Sequence, residues 1–536
     1  LIDRIEVNGI HYSRGFGRRF GPGWETTVVV IDQSARVSTT GGIVQGFVRD
    51  GLARWRSVPY ARPPMGPLRF RAPQPPLPWR GVRYCEEFAY CAPQDPRYTF
   101  MGRGGRQPMS EDCLTLNVVA SAEPHDGPLP VMFFIHGGGY MFGSSATSVY
   151  DGAAIARRGA VYVSANYRLG ALGCLDLSSL STPEHPLEAN LFLRDLVAAL
   201  GWVRDNIAQF GGDPDNITIF GESAGAHAVA TLLAVPEAAG LFRQAISESP
   251  PGGLIHQAEY SAEIARRFAA GLGADPAEGA RAVLTARPSQ LVRTLERIMT
   301  DTIRETPDSF GIGATVGGDY LPRTHVDAMA RGEAHRVPLI IGSNATEASL
   351  FAKFMDYLPT NEPVIEKFLE SAEPAVAQGV REAYPGYPNK TACLAFGSDF
   401  TFGARAWELA EAHCLHAPTY HYRYDYAPRP LQWTGFGATH GSELLAVFDV
   451  YDTRMGGLLT VAGDRGSARS VSRDVQRRWR SFSKTGVPGD DWPRYTTGER
   501  ATMIFDRRSR VESDPTAARR AAWAALSASR GGRSRS

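Results

Sequence analysis

Residues 216–225 read NITIFGESAG, an apolar β-rich run that stops at a serine with a glycine two places to either side. No other stretch limits the fold so strongly. A serine framed by glycines at that interval fits a tight, strained turn from strand into helix, because neighbours without side chains let the two backbones close around it. The residues that follow, AGAHAVATLLAV (224–235), are helical in character. Strand, turn and helix together predict one hydroxyl lifted above a sheet end, beside the free N–H groups and positive dipole end of a helix.

Other runs extend that unit into a sheet. LTLNVVA (114–120), PVMFFIH (130–136), AVYVSANY (160–167), NITIFG (216–221), QAISES (244–249) and PLIIGS (338–343) are short, apolar and β-rich. Helical segments lie between several of them, notably 190–209 and 223–234. This alternation predicts an α/β fold, a mostly parallel central sheet with helices on both faces. Residues 259–299 and 363–383 read as helical insertions, and 468–484 as a long amphipathic helix. TTVVVID (26–32) is a strand candidate, and GGIVQGFV (41–48) a strand broken by glycines. The prolines of 58–79 exclude regular structure there. The expected organisation is an N-terminal extension over 1–38, one domain over 39–523, and a basic, disordered tail over 524–536.

Bulk properties narrow the function classes. The chain has 536 residues, 43% hydrophobic and 21% charged, which supports a sizeable core. A net charge of +1 gives nucleic acid no reason to bind. Apolar runs such as VMFFI (131–135) fall far short of a membrane span. The first 25 residues lack the apolar core and cleavage site of a secretory signal. The expectation is therefore a cytoplasmic protein, with secretion left open because the chain begins at Leu1.

A serine hydroxyl is a weak nucleophile and needs a base and a site for negative charge. HGGG (136–139) directly follows a strand, and its glycines allow backbone N–H groups to turn toward a carbonyl oxygen. Gly138 and Gly139, with the N–H of Ala224, are the expected oxyanion donors. In this fold the chain order is serine, acid, histidine. His440, in the glycine-rich GFGATHGSELLAVF (435–448), is the candidate base. His421 alternates with aromatics on a strand and reads as structural, His413 and His416 make a poor metal site, and His227 reads as packing. Glu347, just after PLIIGS, is the candidate acid, with Asp399 left open by spacing alone.

These motifs carry a resemblance. VPYARPPMGPLRF (58–70), SEDCLTLNV (110–118), HGGGY (136–140), NYRLGALG (166–173), WVRDNIAQFGGDPDNITIFGESAG (202–225), SNATEASLF (343–351) and THGSELLAVF (439–448) occur in order. The sequence resembles the type-B carboxylesterase/lipase family, which includes the cholinesterases and bacterial para-nitrobenzyl esterases, over about residues 40–523. The resemblance implies an α/β-hydrolase fold and a triad of Ser223, Glu347 and His440, the residues reached above. It also implies a candidate disulfide between Cys91 and Cys113, with Cys85 as a rival partner. Residues 92–112 contain Tyr98 and Phe100 but no tryptophan, so choline esters are not expected.

Tyr140, Phe142, Glu222, Phe310, Leu350 and Phe351 are placed with the substrate, from their nearness to these motifs. The expected activity is hydrolysis of small, uncharged carboxylic esters through an acyl-enzyme, with no metal or organic cofactor. The alternatives are a lipase or a carbamate or amide hydrolase, and, in another class, a non-catalytic binding protein on the same fold.

Overall fold

A computed structural model describes residues 4–7, 10–13, 28–29, 35–99, 105–305, 309–353 and 358–533. At its centre is an eleven-stranded sheet. The strands are β1 Phe47–Arg49, β2 Leu52–Pro59, β3 Thr115–Ser121, β4 Leu129–Ile135, β5 Val161–Ala165 and β6 Gly212–Glu222. They continue with β7 Gln244–Glu248, β8 Leu339–Asn344, β9 Thr419–Tyr424, β10 Ala501–Phe505 and β11 Arg510–Ser513. Side by side they run β11-β10-β9-β8-β7-β6-β4-β5-β3-β2-β1. From β5 across to β10 all neighbours are parallel, and the strands at both edges are antiparallel.

The apolar runs form strands because both sheet faces are covered. Along β4, Val131, Phe133 and Ile135 face one core, while Met132 and Phe134 face the other. The first core is closed by helices α1 Leu191–Asn206, α2 Ala224–Leu232, α3 Ala258–Gly271 and α4 Pro288–Glu305, with α5 His325–Ala330 and α6 Ala404–His413. The second is closed by α7 Leu444–Val447 and α8 Arg465–Thr485, through residues such as Val475, Trp479 and Phe482. A last helix, α9 Ala517–Arg533, packs Trp523 and Leu526 against the helical insertion at 362–398.

Strand order reverses at β4: β5 pairs on one side of it and β6 on the other. Crevices at such switch points open at the carboxyl ends of strands, where ligands of α/β sheets bind. Both GESAG and HGGG leave the sheet at that place.

Two expectations are corrected. The chain is helical through Arg533, not disordered from 524, because Trp523 and Leu526 are buried on one face of an alanine-rich helix. Cys91 and Cys113 form no disulfide; all six cysteines are free, and Cys91, Cys113 and Cys85 are buried thiols. Burial pushes the Cys91 thiol up to about 11 and that of Cys113 well above its ordinary value, so both stay protonated and inert. Of the strand candidate at 26–32, Val28–Val29 pairs with His125–Asp126, and the rest lies outside the described residues, as does Phe100.

Candidate active site

The geometry of the elbow explains its composition. Ser223 sits between β6 and α2 at φ 59°, ψ −127°, a left-handed position that a side chain rarely takes without tight surroundings. A Cβ on Gly225 would lie 2.0 Å from the carbonyl oxygen of Ile135, and one on Gly221 would lie 2.7 Å from the Gly225 backbone. Both glycines are therefore required for β4, β6 and α2 to meet. The N–H of Ser223 donates to Glu248 O at 2.9 Å, which ties the turn to the neighbouring strand.

The second loop leaves β4 in parallel. A Cβ on Gly137 would stand 2.7 Å from Glu222 O and 3.0 Å from Ser223 Cβ, so the HGGG backbone lies directly against the elbow. Gly138, Gly139 and Tyr140 follow at φ 109°, 60° and 61°. Neither the Gly138 nor the Gly139 N–H donates to a described group, and Ala224, first in its helix, has no carbonyl one turn behind it. The loop that carries two of the expected donors thus lies against the elbow with those N–H groups unclaimed among the described residues.

His440 joins from the loop after β9. Its Nδ1 lies 2.7 Å from Glu347 Oε2 and its Nε2 lies 3.1 Å from Glu222 Oε1. Ser223 Oγ has no hydrogen-bond partner among the described residues; the Nε2 edge of the imidazole faces the residue just before it. Phe402 stacks on the ring with centroids 4.3 Å apart, and Phe351 leans on it at 5.1 Å. Glu347 is held in turn: the N–H of Asn344 donates to its Oε1 at 2.7 Å, and Ser249 Oγ donates to the same oxygen.

The acid environment is denser than the sequence suggested. Glu443 Oε1 lies 3.1 Å from Ser249 Oγ, and Asn344 Nδ2 donates to Glu443 Oε2. Burial, then Glu347 and Glu222, push Glu443 up to about 8. Burial raises Glu222 to about 7 despite the opposing pull of His440, and burial beside Glu443 raises Glu248 well above the carboxylate range. One hydroxyl donates one hydrogen, so the Ser249–Glu443 contact closes when Glu443 carries its own proton, the state these shifts favour. Sequence reading missed Ser249 and Glu443. The second was within reach, as the acid three places after His440. The first was not: it depends on a left-handed φ of 58° at the end of β7.

The remaining candidates separate. Glu222, Phe351 and the half-buried Leu350 lie beside His440 or in the short helix after Glu347. Phe142 stacks on Tyr98 at 4.2 Å. Phe310 lines a cavity of about 410 Å³ with Gly253, Phe400, Thr401 and Trp407; Thr401 is the chain neighbour of Phe402. Tyr140 is the exception. It was expected to line the pocket but is wholly buried, its ring 4.5 Å from that of Phe192 and its hydroxyl on His227. Its left-handed backbone turns the side chain inward. Asp399, the rival acid, is engaged by Tyr384 and Arg519 instead. His421 bonds Thr502, and His413 and His416 each bond a backbone carbonyl. Among the described residues no group of three or more His, Cys, Asp and Glu is placed to hold a metal ion.

Comparison with known proteins gives the chain a family. A family model described as "Carboxylesterase family" matches residues 33–523. A para-nitrobenzyl esterase of Bacillus subtilis is 34% identical over 498 residues, covering 90% of this chain and 97% of that protein. A fumonisin B1 esterase of Sphingopyxis macrogoltabida is 33% identical, covering 89% and 86%. A solved PNB esterase superposes with a TM-score of 0.81 at 32% identity, covering 91% of this chain and 99% of that one. A carboxylesterase of Geobacillus stearothermophilus gives 0.79 at 32%, with the same coverage. The sheet, the elbow at its switch point and these likenesses agree: the fold is that of the α/β-hydrolases, and the chain belongs to the carboxylesterase family of carboxylic ester hydrolases.

Proposed function

We propose that Ser223, His440 and Glu347 hydrolyse uncharged carboxylic esters through an acyl-enzyme. The observation that carries this reading is the Glu347–His440 pair, 2.7 Å long, with its Nε2 on the carboxylate of Glu222, the residue just before Ser223 in a strained elbow. His440 Nε2 takes the proton as Ser223 Oγ bonds to the ester carbon, and the carbonyl oxygen becomes an oxyanion. The amides of Gly138, Gly139 and Ala224 hold that oxygen. His440 then gives its proton to the departing alcohol as the carbon–oxygen bond breaks. Water repeats the cycle: His440 removes its proton, the hydroxide adds to the acyl carbon, and Ser223 leaves with the proton restored. Glu347 keeps Nδ1 protonated and stabilises the imidazolium in both halves.

The preference for uncharged esters rests on the walls. Phe351 and Phe402 lie on the imidazole, and carboxyl oxygens of Glu347 and Glu222 already face its two nitrogens, so an anionic acyl group meets apolar walls and no unclaimed cation. No described helix is long and apolar enough to cross a membrane. The test is kinetic. Against a chain-length series of p-nitrophenyl esters, Ser223→Ala should lose about 10⁴-fold or more in kcat. A neutral butyrate ester should be cut far faster than the matching hemisuccinate. Full activity in Ser223→Ala would end the proposal, and equal rates on both esters would remove the charge preference.

A further inference from the structure

His227 is a buried histidine that the reaction does not use. It lies one turn into α2, with its N–H on Ser223 O at 3.0 Å, and is 1% exposed. Its Nδ1 is 2.9 Å from the hydroxyl of Tyr140. The Thr231 hydroxyl donates to His227 O at 2.7 Å, so its hydrogen is engaged there. Among the described residues the Tyr140 hydroxyl has no other partner, so Tyr140 donates and Nδ1 accepts. His325, also 1% exposed, closes the far side of the ring edge-on at 5.1 Å. Burial lowers His227 to about 3 and holds His325 well below its ordinary value, so both rings are neutral; with Tyr140 donating to Nδ1, the His227 proton sits on Nε2, which has no partner among the described residues.

This bond sits under the oxyanion loop. Tyr140 ends the left-handed run that begins at Gly138, and it has no glycine's freedom to hold φ 61°. Such a residue persists when its surroundings over-determine it. Three anchors do so here: Phe192 against the ring, Gly170 N–H on the Tyr140 carbonyl at 2.7 Å, and His227 on the hydroxyl. We propose that His227 is a positioning residue for the oxyanion loop: it accepts the Tyr140 hydroxyl and so fixes the turn that aims the Gly138 and Gly139 amides. The inference rests on the esterase reading above.

The test compares the full-length wild type with Tyr140→Phe, His227→Phe, the double variant and His227→Gln, with melting temperature as the folding control. Turnover of p-nitrophenyl butyrate is measured beside the inhibition constant of a trifluoromethyl ketone, whose hemiketal oxygen occupies the oxyanion position. Tyr140→Phe and His227→Phe should each lower kcat and weaken the ketone by about 10-fold, less than loss of a whole donor, with KM within about twofold. The double variant should lose no more than either single one. His227→Gln, which keeps an acceptor, should recover most of the loss. A folded Tyr140→Phe with wild-type kcat and ketone affinity, beside an inactive Ser223→Ala, would overturn this inference alone. Losses that multiply in the double variant would also overturn it. If His227→Phe fails to fold, Tyr140→Phe decides the matter, since it removes one hydroxyl from an unchanged ring. Retained activity in Ser223→Ala would overturn the esterase reading and this inference together.

Discussion

Burial alone would lower the pKa of His440, but Glu222, Glu347 and Glu443 outweigh it and raise the imidazole from 6.5 to about 9. A general base must be neutral, so activity should rise with pH through that raised value. The acid limb of kcat/KM is predicted to lie above the ordinary histidine value. Glu222→Gln removes the strongest of the stabilising charges and should move the limb to lower pH. A wild-type limb at or below the ordinary value, or an unmoved limb in the variant, would show that these carboxylates do not govern the base. Glu443 gives a stability test of opposite character. Its folded pKa is raised from 4.5 to about 8, so over that interval the folded chain holds a proton that the unfolded chain has released. The sign follows: stability falls as pH rises across the interval. Glu443→Gln has no proton to lose and keeps an acceptor for Asn344, so its melting temperature should fall less over the same range.

The elbow is the element on which the site depends. Gly225→Ala would drive a methyl into the Ile135 carbonyl, 2.0 Å away before any relaxation. Either α2 moves off β4 or the turn opens. The expected result is about 1–3 kcal/mol or more of lost stability in thermal melts, and about 10²-fold in kcat through displacement of Ser223. Wild-type values would mean the close approach is not needed. This element was legible in the sequence because its requirements are local: a strand, glycines at fixed places, a helix. The oxyanion loop was legible for the same reason. Tyr140 was misjudged because nearness in sequence to HGGG says nothing about the handedness of its backbone, which decides where the ring points. Ser249 was invisible for a related cause. QAISES (244–249) reads as a strand ending at Ser249, and only the left-handed φ at the end of β7 brings that hydroxyl to Glu347.

Across the whole molecule, the parallel sheet was readable because strands buried on both faces become continuous apolar runs. Their lateral order was not, since β8, β9 and β10 pair across long stretches of intervening chain. The C-terminal helix shows how composition misleads. ARRAAWAALSASR is basic and small-residue-rich, yet Trp523 and Leu526, three apart, mark one buried helix face. Trp523 Nε1 donates to Tyr384 at 2.6 Å, and Arg519 pairs with Asp399 at 3.1 Å in the turn that carries Phe402 to His440. The tail therefore braces the helical insertion beside the site. Trp523→Ala should cost about 3–5 kcal/mol, seen as a lowered urea midpoint; an unchanged midpoint would leave α9 an ornament. The central claim, that Ser223 is the nucleophile, is tested most directly by covalent capture. Intact-mass and peptide mapping after reaction with an alkyl fluorophosphonate should find one adduct, on the peptide bearing Ser223, with activity lost in proportion. An adduct on another residue, or full labelling of Ser223→Ala with loss of activity, would contradict it.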